Sequence, residues 1–402
     1  MACWAELAFD VPPLPSRVRT LAHHSSPDVA RAVVGAFAID GDLLEIRSFD
    51  RGHIHDTFVS TWRRADGVVR RYLHQRINDR VFTDVPALMN NIANVTSHLA
   101  TRYGAAAEVA PMRSLELVPT RAGGHYLVTE DAPWRTYVFV EGTRSFDRCD
   151  SRERAHEAAR AFGQFQADLA GLDVRRLRET IPRFFSSPYR LLQLEDAIAA
   201  DLVGRVKHAR AEISFVQMRR QLVDAVESAM RGGAFPARIV HGDTKLNNLL
   251  FDERSGRAVC VVDLDTCMPG WSLYDFGDLV RFTAARCKED EPDLAQAGMD
   301  LELYTALVDG YLEGAGALLT SAEVAMLPLA ARLVTLTVGM RFLADHLAGD
   351  RYFKVARENH NLDRARVQFA MVSDMERQLG SMERWVRGRA SAGGVTAGRA
   401  AE

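Results

Sequence analysis

The chain has 402 residues, of which 47% are hydrophobic and 26% charged, with a formal net charge of -3 and a pI near 6.5. This is ordinary globular composition, long enough for two or three core-bearing units, and it argues against a general nucleic-acid or acidic-membrane surface. Five cysteines (Cys3, Cys149, Cys260, Cys267 and Cys287) are scattered without a C-x-x-C pair, which reads as reduced thiols in a cytoplasmic protein.

No signal peptide is expected, because Glu6 and Asp10 fall where its apolar core would sit. Residues 1–27 are rich in Pro and Ser and read as a loosely ordered extension. PDVARAVVGAF then reads as a short helix with Pro27 and Asp28 at its start. A β-rich block follows. LLEIRSF, DTFVSTW, VVRRYLHQRI, HYLVTED and WRTYVFV are short β-branched and aromatic runs broken by Gly and Asp. One helix interrupts them over Asp84 to Tyr103, with Leu88, Ile92, Val95 and Leu99 at helical spacing.

After Gly142 the pattern becomes mainly helical. RERAHEAARAFGQFQADLAGL, SPYRLLQLEDAIAADL and FVQMRRQLVDAVESAM are amphipathic. Short β-type stretches return at ARIVHGD, NLLFD and AVCVVDLD, and helices resume to about residue 385. The apolar segment Ala322 to Leu347 is interrupted by Pro328, Arg332, Arg341 and Asp345, so it reads as buried helix and not as a membrane span. Residues 386–402 have little to bury and read as a disordered tail. The resulting expectation is an α+β, two-lobed, protein-kinase-like fold. A small β-sheet N-lobe with one main helix (28–140) binds nucleotide, and a larger, mainly helical C-lobe (141–385) holds catalysis and substrate.

The segment HGDTKLNNLLF, His241 to Phe251, carries the chemistry. Phosphoryl transfer asks a protein to hold Mg²⁺, shield spreading negative charge and orient a nucleophile. Asp243 is the candidate to accept the proton of an attacking hydroxyl, Lys245 to lie along the γ-phosphate, and Asn248 to bind metal. The spacing matches the protein-kinase catalytic loop at His241, Asp243, Lys245 and Asn248, with Gly242 in place of Arg. A second metal carboxylate belongs on a nearby strand. Asp275-Phe276-Gly277 spells the kinase metal motif, yet it sits 32 residues past Asp243 (275 − 243). VVDLD fits better, with Asp263 as metal ligand at a strand end and Asp265 as helper. Asp275 and Asp278 are then structural: they cap a helix start and bond to catalytic-loop backbone groups.

HGDTKLNNLLFD followed by VVDLDTCMPGWSLYDFGDLVR resembles the N-acetylhexosamine 1-kinase-like branch of the aminoglycoside-phosphotransferase family. GHIHDTF, LHQRIN and RFLADHLAGDRYFKVARENHNLDRARVQ agree, and the likeness runs from about residue 43 to 380. The resemblance implies transfer of phosphate from ATP, with Mg²⁺, to the anomeric hydroxyl of a sugar such as N-acetylglucosamine.

It also implies roles. FDRGHIHDTF is similar to the phosphate-covering loop, placing Gly52 and His53 at the nucleotide. His53 and His55 share one face, as a metal pair or, preferably, for packing and polar contact. The third strand places Gln75 where a kinase has Lys, with Arg76 next. Asn90 and Asn91 stand where the partner Glu is expected, leaving Arg76 or Lys245 to supply charge to the phosphates. Backbone groups of Val138 to Glu141, with Val138, Val140 and Glu141 as named contacts, would read adenine. Arg341 and Tyr352, together with Asp243, would face the sugar, although Arg341 could instead pair with Asp345 on its own helix. One departure concerns specificity: Phe184-Phe185-Ser186-Ser187-Pro188 replaces the branch's F-H-D-T-P.

Two other readings stay open. One is a phosphotransferase acting on an aminoglycoside or other natural product, for which Glu302, Asp309 and Glu313 offer acids. The other is a silent nucleotide binder, which should lack Asp243, Asn248 or Asp263.

Overall fold

A computed structural model describes residues 26–49, 54–104, 112–233, 235–316 and 318–392. The first lobe contains α1 (Pro27–Val34), β1 (Asp42–Ser48), β2 (Asp56–Arg63), β3 (Val69–Arg76), α2 (Val85–Gly104), β4 (Leu127–Val128) and β5 (Pro133–Val138). The strands form one antiparallel sheet in the order β1-β2-β3-β5-β4. Side chains alternate between its faces. Phe58, Trp62, Tyr72 and Trp134 pack on Ala30, Val33 and Val34 of α1. The opposite face carries Gln75, Arg135 and Tyr137, and Tyr137 joins the core of the second lobe.

The second lobe begins with β6 (Thr143–Arg144) and continues through α3 (Arg152–Leu169), α4 (Ser187–Ala200), α5 (Arg210–Gln217), α6 (Arg220–Arg231), β7 (Arg238–Val240), β8 (Leu249–Asp252), β9 (Ala258–Val261), β10 (Met268–Gly270), α7 (Ser272–Thr283), α8 (Leu301–Ala315), α9 (Ser321–Ala325), α10 (Leu327–Leu347) and α11 (His360–Ala392). The short strands form two small sheets, β6-β8-β9 and β10-β7, which carry the loops between them. Helix α3 lies directly on α8 because Gly310 and Gly314 present no side chains. A Cβ at these positions would stand 2.1 Å from the His156 carbonyl oxygen and 2.2 Å from that of Arg160. Helix α10 is apolar and long enough to cross a membrane by length and composition, but 72% of its apolar window is buried within the chain. This is the two-lobed, protein-kinase-like architecture expected above.

One amphipathic segment proves to be divided, and one expectation about the C-terminal tail is corrected. FVQMRRQLVDAVESAM is divided between α5 and α6, with the break at Met218–Arg219. Arg219 leaves the helical path to pair with Glu376 of α11, its Nη2 2.7 Å from Oε2, while its Nη1 donates to the Phe215 carbonyl. The expected disordered tail from residue 386 is helical as far as Ala392. The Trp385 indole N–H and the Arg389 guanidinium both bond to Asp309 of α8, which gives the extension a partner. Residues 1–25 and 393–402 lie outside the described residues.

Candidate active site

The segment from His241 to Asn248 joins β7 to β8, and two carboxylates on α7 set its shape. Asp275 accepts the backbone N–H groups of His241 and Gly242, each at 2.8 Å, and the side-chain amide of Gln166 at 2.7 Å. Asp278 accepts the Thr244 N–H at 3.1 Å and is held by Arg281 at 2.8 Å. Both are therefore structural anchors of the loop. Asp275 binds loop backbone rather than its own helix end, whose N-cap position is Trp271. Gly242 has φ +81, and a Cβ there would stand 2.7 Å from the Phe185 ring and 2.9 Å from the Thr266 carbonyl oxygen. The glycine of H-G-D is thus required by conformation and by space.

The loop brings the candidate chemical groups together. Lys245 Nζ is 2.8 Å from Asp243 Oδ1, and the Asn248 amide donates to Asp243 Oδ2 at 3.0 Å and to its carbonyl oxygen at 2.8 Å. Burial by itself would raise the Asp243 pKa, but the Lys245 ammonium outweighs it and holds the carboxylate below its usual range. Val262 ties Asp263 to this loop. Its N–H donates to the Asn248 carbonyl, and its own carbonyl accepts from His241 Nε2, both at 2.9 Å. The His241 Nδ1 is occupied as acceptor of the Asp243 N–H at 3.2 Å, which fixes the neutral tautomer. Asp263 follows with φ 60, a left-handed conformation uncommon outside glycine and characteristic of sites held in place by their surroundings.

The Asp263 carboxylate is open to the cleft and forms no ion pair among the described residues. Burial and the neighbouring Asp265 and Asp243 carboxylates raise its pKa, and the nearby Arg135 guanidinium offsets only part of that. No three His, Cys, Asp or Glu side chains converge on a preformed metal site among the described residues. Two carboxylates and a carboxamide at one cleft suit a hard cation that brings phosphate oxygens with it. A magnesium–nucleotide group therefore fits the residues present, with Asn248 and Asp263 as its holders.

Asp265 differs. Arg135 grips both of its oxygens, with Nη2 2.7 Å from Oδ2, and His55 Nε2 donates to the same Oδ2 at 2.7 Å. His55 Nδ1 accepts the Asn78 N–H at 3.0 Å, so the donor nitrogen is assigned. The expectation of Asp265 as a metal helper is corrected: its oxygens are already engaged by protein cations and donors. His55 is a polar contact, as preferred above. The expected Gln–Asn pair is not formed either. Gln75 accepts from Arg135 Nε at 2.9 Å. Asn91 bonds to the Arg178 backbone and the Cys267 carbonyl, and Asn90 to the Arg176 carbonyl. Arg76 is turned to the opposite sheet face, beside Asp56 and the Asp131 carbonyl, and supplies no charge to the cleft. The N-lobe cation at the junction is Arg135, which sequence reasoning missed. The signal was a lone arginine in the apolar strand PWRTYVFV, directly opposite Gln75 in the register.

Val138, Val140 and Glu141 lie on the segment joining the lobes and line a cavity of about 350 Å³. The Val138 and Phe139 N–H groups are used by Glu116 and Arg71, whereas the Val140 N–H has no protein partner among the described residues. The Glu141 side chain is held by Arg71. On the far side of the catalytic loop, Arg341 lies over the rings of Phe184, Tyr352 and Phe353 at 5.2, 5.8 and 5.5 Å. The alternative pairing with Asp345 is not made. Asp345 instead accepts the N–H groups of Arg351, Tyr352 and Phe353 and fixes that loop. Gly52 and His53 lie outside the described residues.

A two-lobed fold with an H-G-D-x-K-x-x-N loop facing a strand-end aspartate defines a phosphotransferase of the protein-kinase-like class. The chain belongs to the phosphotransferase enzyme family (APH), whose model matches residues 45–316. Among solved structures it is similar to an aminoglycoside phosphotransferase from Alicyclobacillus acidocaldarius, at 14% identity and TM-score 0.58, covering 89% of this chain and 96% of that one. It is also similar to a microcompartment-associated aminopropanol kinase at 18% identity and TM-score 0.51, covering 89% and 98% of the two chains. Amicoumacin kinase hAmiN, solved with AMP-PNP, Ca²⁺ and Ami, matches at 14% identity and TM-score 0.52, covering 91% and 94%. At these identities the likeness concerns the fold.

Proposed function

We propose that the protein is an ATP- and Mg²⁺-dependent small-molecule kinase that phosphorylates a sugar hydroxyl, the anomeric hydroxyl of an N-acetylhexosamine or a related sugar. The observation that carries this reading is the convergence of Asp243, Lys245, Asn248 and Asp263 at one cleft. Magnesium–ATP, when bound, supplies the transferable phosphoryl group and neutralises part of its charge. Asp243, held ionised by Lys245, orients the acceptor hydroxyl and accepts its proton. Lys245 shields charge on the phosphoryl oxygens, and Asn248 and Asp263 hold the metal. Arg135 acts through Asp265 and Gln75, fixing the strand end that carries Asp263. The Val140 N–H is a free donor for adenine.

The solved neighbours act on varied hydroxylated compounds, including aminoglycosides and aminopropanol by their names, so an antibiotic acceptor is the second reading. Two of the three acids that would favour it are committed elsewhere. Asp309 is taken by Arg389, and Glu313 faces His156 at 3.2 Å. The test is ATP consumption over N-acetylhexosamines, neutral hexoses and aminoglycosides, with phosphorus NMR locating the new ester. Acceptor-dependent turnover that disappears in Asp243→Asn supports the reading. Turnover unaffected by that change, or none with any hydroxyl compound, defeats it.

A further inference from the structure

Beside the catalytic loop stands a pair of guanidinium groups with no carboxylate among the described residues to neutralise them. Arg190 lies in the first turn of α4 and Arg341 in the middle of α10. Arg190 Nη2 donates to the Phe184 carbonyl at 3.3 Å and Nη1 to the Gln193 side-chain oxygen at 2.8 Å. Its Nε is buried without a partner among the described residues. Arg341 makes no hydrogen bond or ion pair among the described residues and is surrounded by the rings of Phe184, Tyr352 and Phe353. Burial and the adjacent Arg341 charge lower the Arg190 pKa to about 10. Two like charges held together with no counter-charge are costly unless a ligand completes them.

The pair is coupled to the reaction centre by contact. Phe184 lies under Arg341, and its ring meets Phe185 edge-on at 5.0 Å. Phe185 in turn fills the space over Gly242, next to Asp243, and stacks on Tyr274 at 5.2 Å. The path from arginines to general base therefore runs through two aromatic rings, Phe184 and Phe185. Tyr352 is 60% exposed, which leaves a ring face available to a sugar. Two forks of N–H donors beside open aromatic rings match a planar or tetrahedral oxyanion attached to a polyol.

We propose that the acceptor is an anionic sugar: a polyol whose carboxylate or phosphate is held by Arg190 and Arg341 while a hydroxyl at its other end is presented to Asp243. This rests on the phosphotransferase reading and narrows its substrate class. It also runs against a polycationic antibiotic, which this wall would repel.

The test uses the full chain with Mg²⁺–ATP and two matched sets: glucose, glucuronate and glucose 6-phosphate, and N-acetylglucosamine with its 6-phosphate. The charged members are expected to exceed their neutral parents in kcat/KM by about tenfold or more, the worth of one charge-assisted contact. The better of glucuronate and the sugar phosphates tells carboxylate from phosphate. In Arg190→Gln and in Arg341→Gln the ratio of charged to neutral kcat/KM should fall toward one through a raised KM. Arg190→Lys should keep part of it, and melting curves establish that the variants fold. Equal or better use of the neutral sugars overturns the proposal while leaving the kinase reading intact. Calorimetric binding of the same compounds separates the remaining cases. Saturable binding of the charged sugars, lost in Arg190→Gln, without any turnover would sink the kinase reading and retain the anion site. No preferential binding of charged sugars would sink the anion site.

Discussion

Arg135 and Asp265 meet across the lobe junction with both side chains 2% exposed, the guanidinium spanning both carboxylate oxygens. Arg135 comes from the central part of the N-lobe sheet, and Asp265 follows Asp263 by two residues. The pair therefore sets the position of a candidate metal ligand by clamping the turn that carries it. Removing one partner leaves an uncompensated buried charge, at a cost of about 3–5 kcal/mol. Arg135→Met should lower the melting temperature strongly, and Arg135→Met combined with Asp265→Leu should recover much of that loss. A double variant no more stable than Arg135→Met would show that the two residues are not energetically coupled.

Asp263 and Asp275 should respond oppositely to the same truncation. Asp263→Ala removes an open carboxylate that sits near two others but puts alanine at φ 60, so folding stability should change little, while affinity for ATP weakens most at low Mg²⁺. Asp275→Ala leaves the His241 and Gly242 N–H groups and the Gln166 amide without their acceptor. The expected loss is about 2–4 kcal/mol of stability. Melting curves alongside nucleotide titration at several Mg²⁺ concentrations decide the matter; a stable Asp275→Ala protein that has lost Mg²⁺ dependence would reverse the assignment.

Asp243→Asn keeps the size of the side chain and the fold but removes the proton acceptor. Turnover should fall roughly 10²- to 10⁴-fold, with nucleotide affinity changed much less. Lys245→Met removes the ammonium that holds Asp243 ionised, so its pH–rate profile should lose activity at higher pH than the parent enzyme does. Coincident acidic limbs in the two profiles would mean that Lys245 does not control the charge of Asp243.

The catalytic loop was legible in the sequence because its chemistry depends on local spacing: His241, Asp243, Lys245 and Asn248 fall within one turn region, and the strand before Asp263 is short and apolar. The N-lobe strands were legible from runs of β-branched and aromatic residues. Arg135 was not, because a single charge in an apolar strand has no periodicity and its partner is distant in the chain; only the register Gln75↔Arg135 and the return of residue 265 reveal the contact. Arg190 was hidden for a related reason. On an amphipathic helix an arginine looks like solvated surface until the neighbouring element, here α10, presents a second one. The break at Met218–Arg219 carries no Gly or Pro and is imposed by Glu376 from α11.

His74 predicts a pH dependence of folding that is independent of catalysis. It is fully buried in the N-lobe sheet, with Nε2 2.6 Å from the Ser60 hydroxyl and Nδ1 2.8 Å from the Thr136 hydroxyl. Ser60 also accepts the Trp62 indole N–H at 2.8 Å, which completes a buried polar cluster around the ring. Burial disfavours the charged ring and lowers the pKa from 6.5 to about 3. Between those values the unfolded chain binds a proton that the native protein refuses. The stability that the neutral ring contributes is complete above about pH 6.5 and is lost progressively as pH falls toward 3, at up to about 1.4 kcal/mol per pH unit. Urea midpoints measured from pH 7.5 down to 5 should therefore decline, and His74→Gln, which has no proton to gain, should decline less steeply. Parallel slopes for the two proteins would assign the acid sensitivity to other groups.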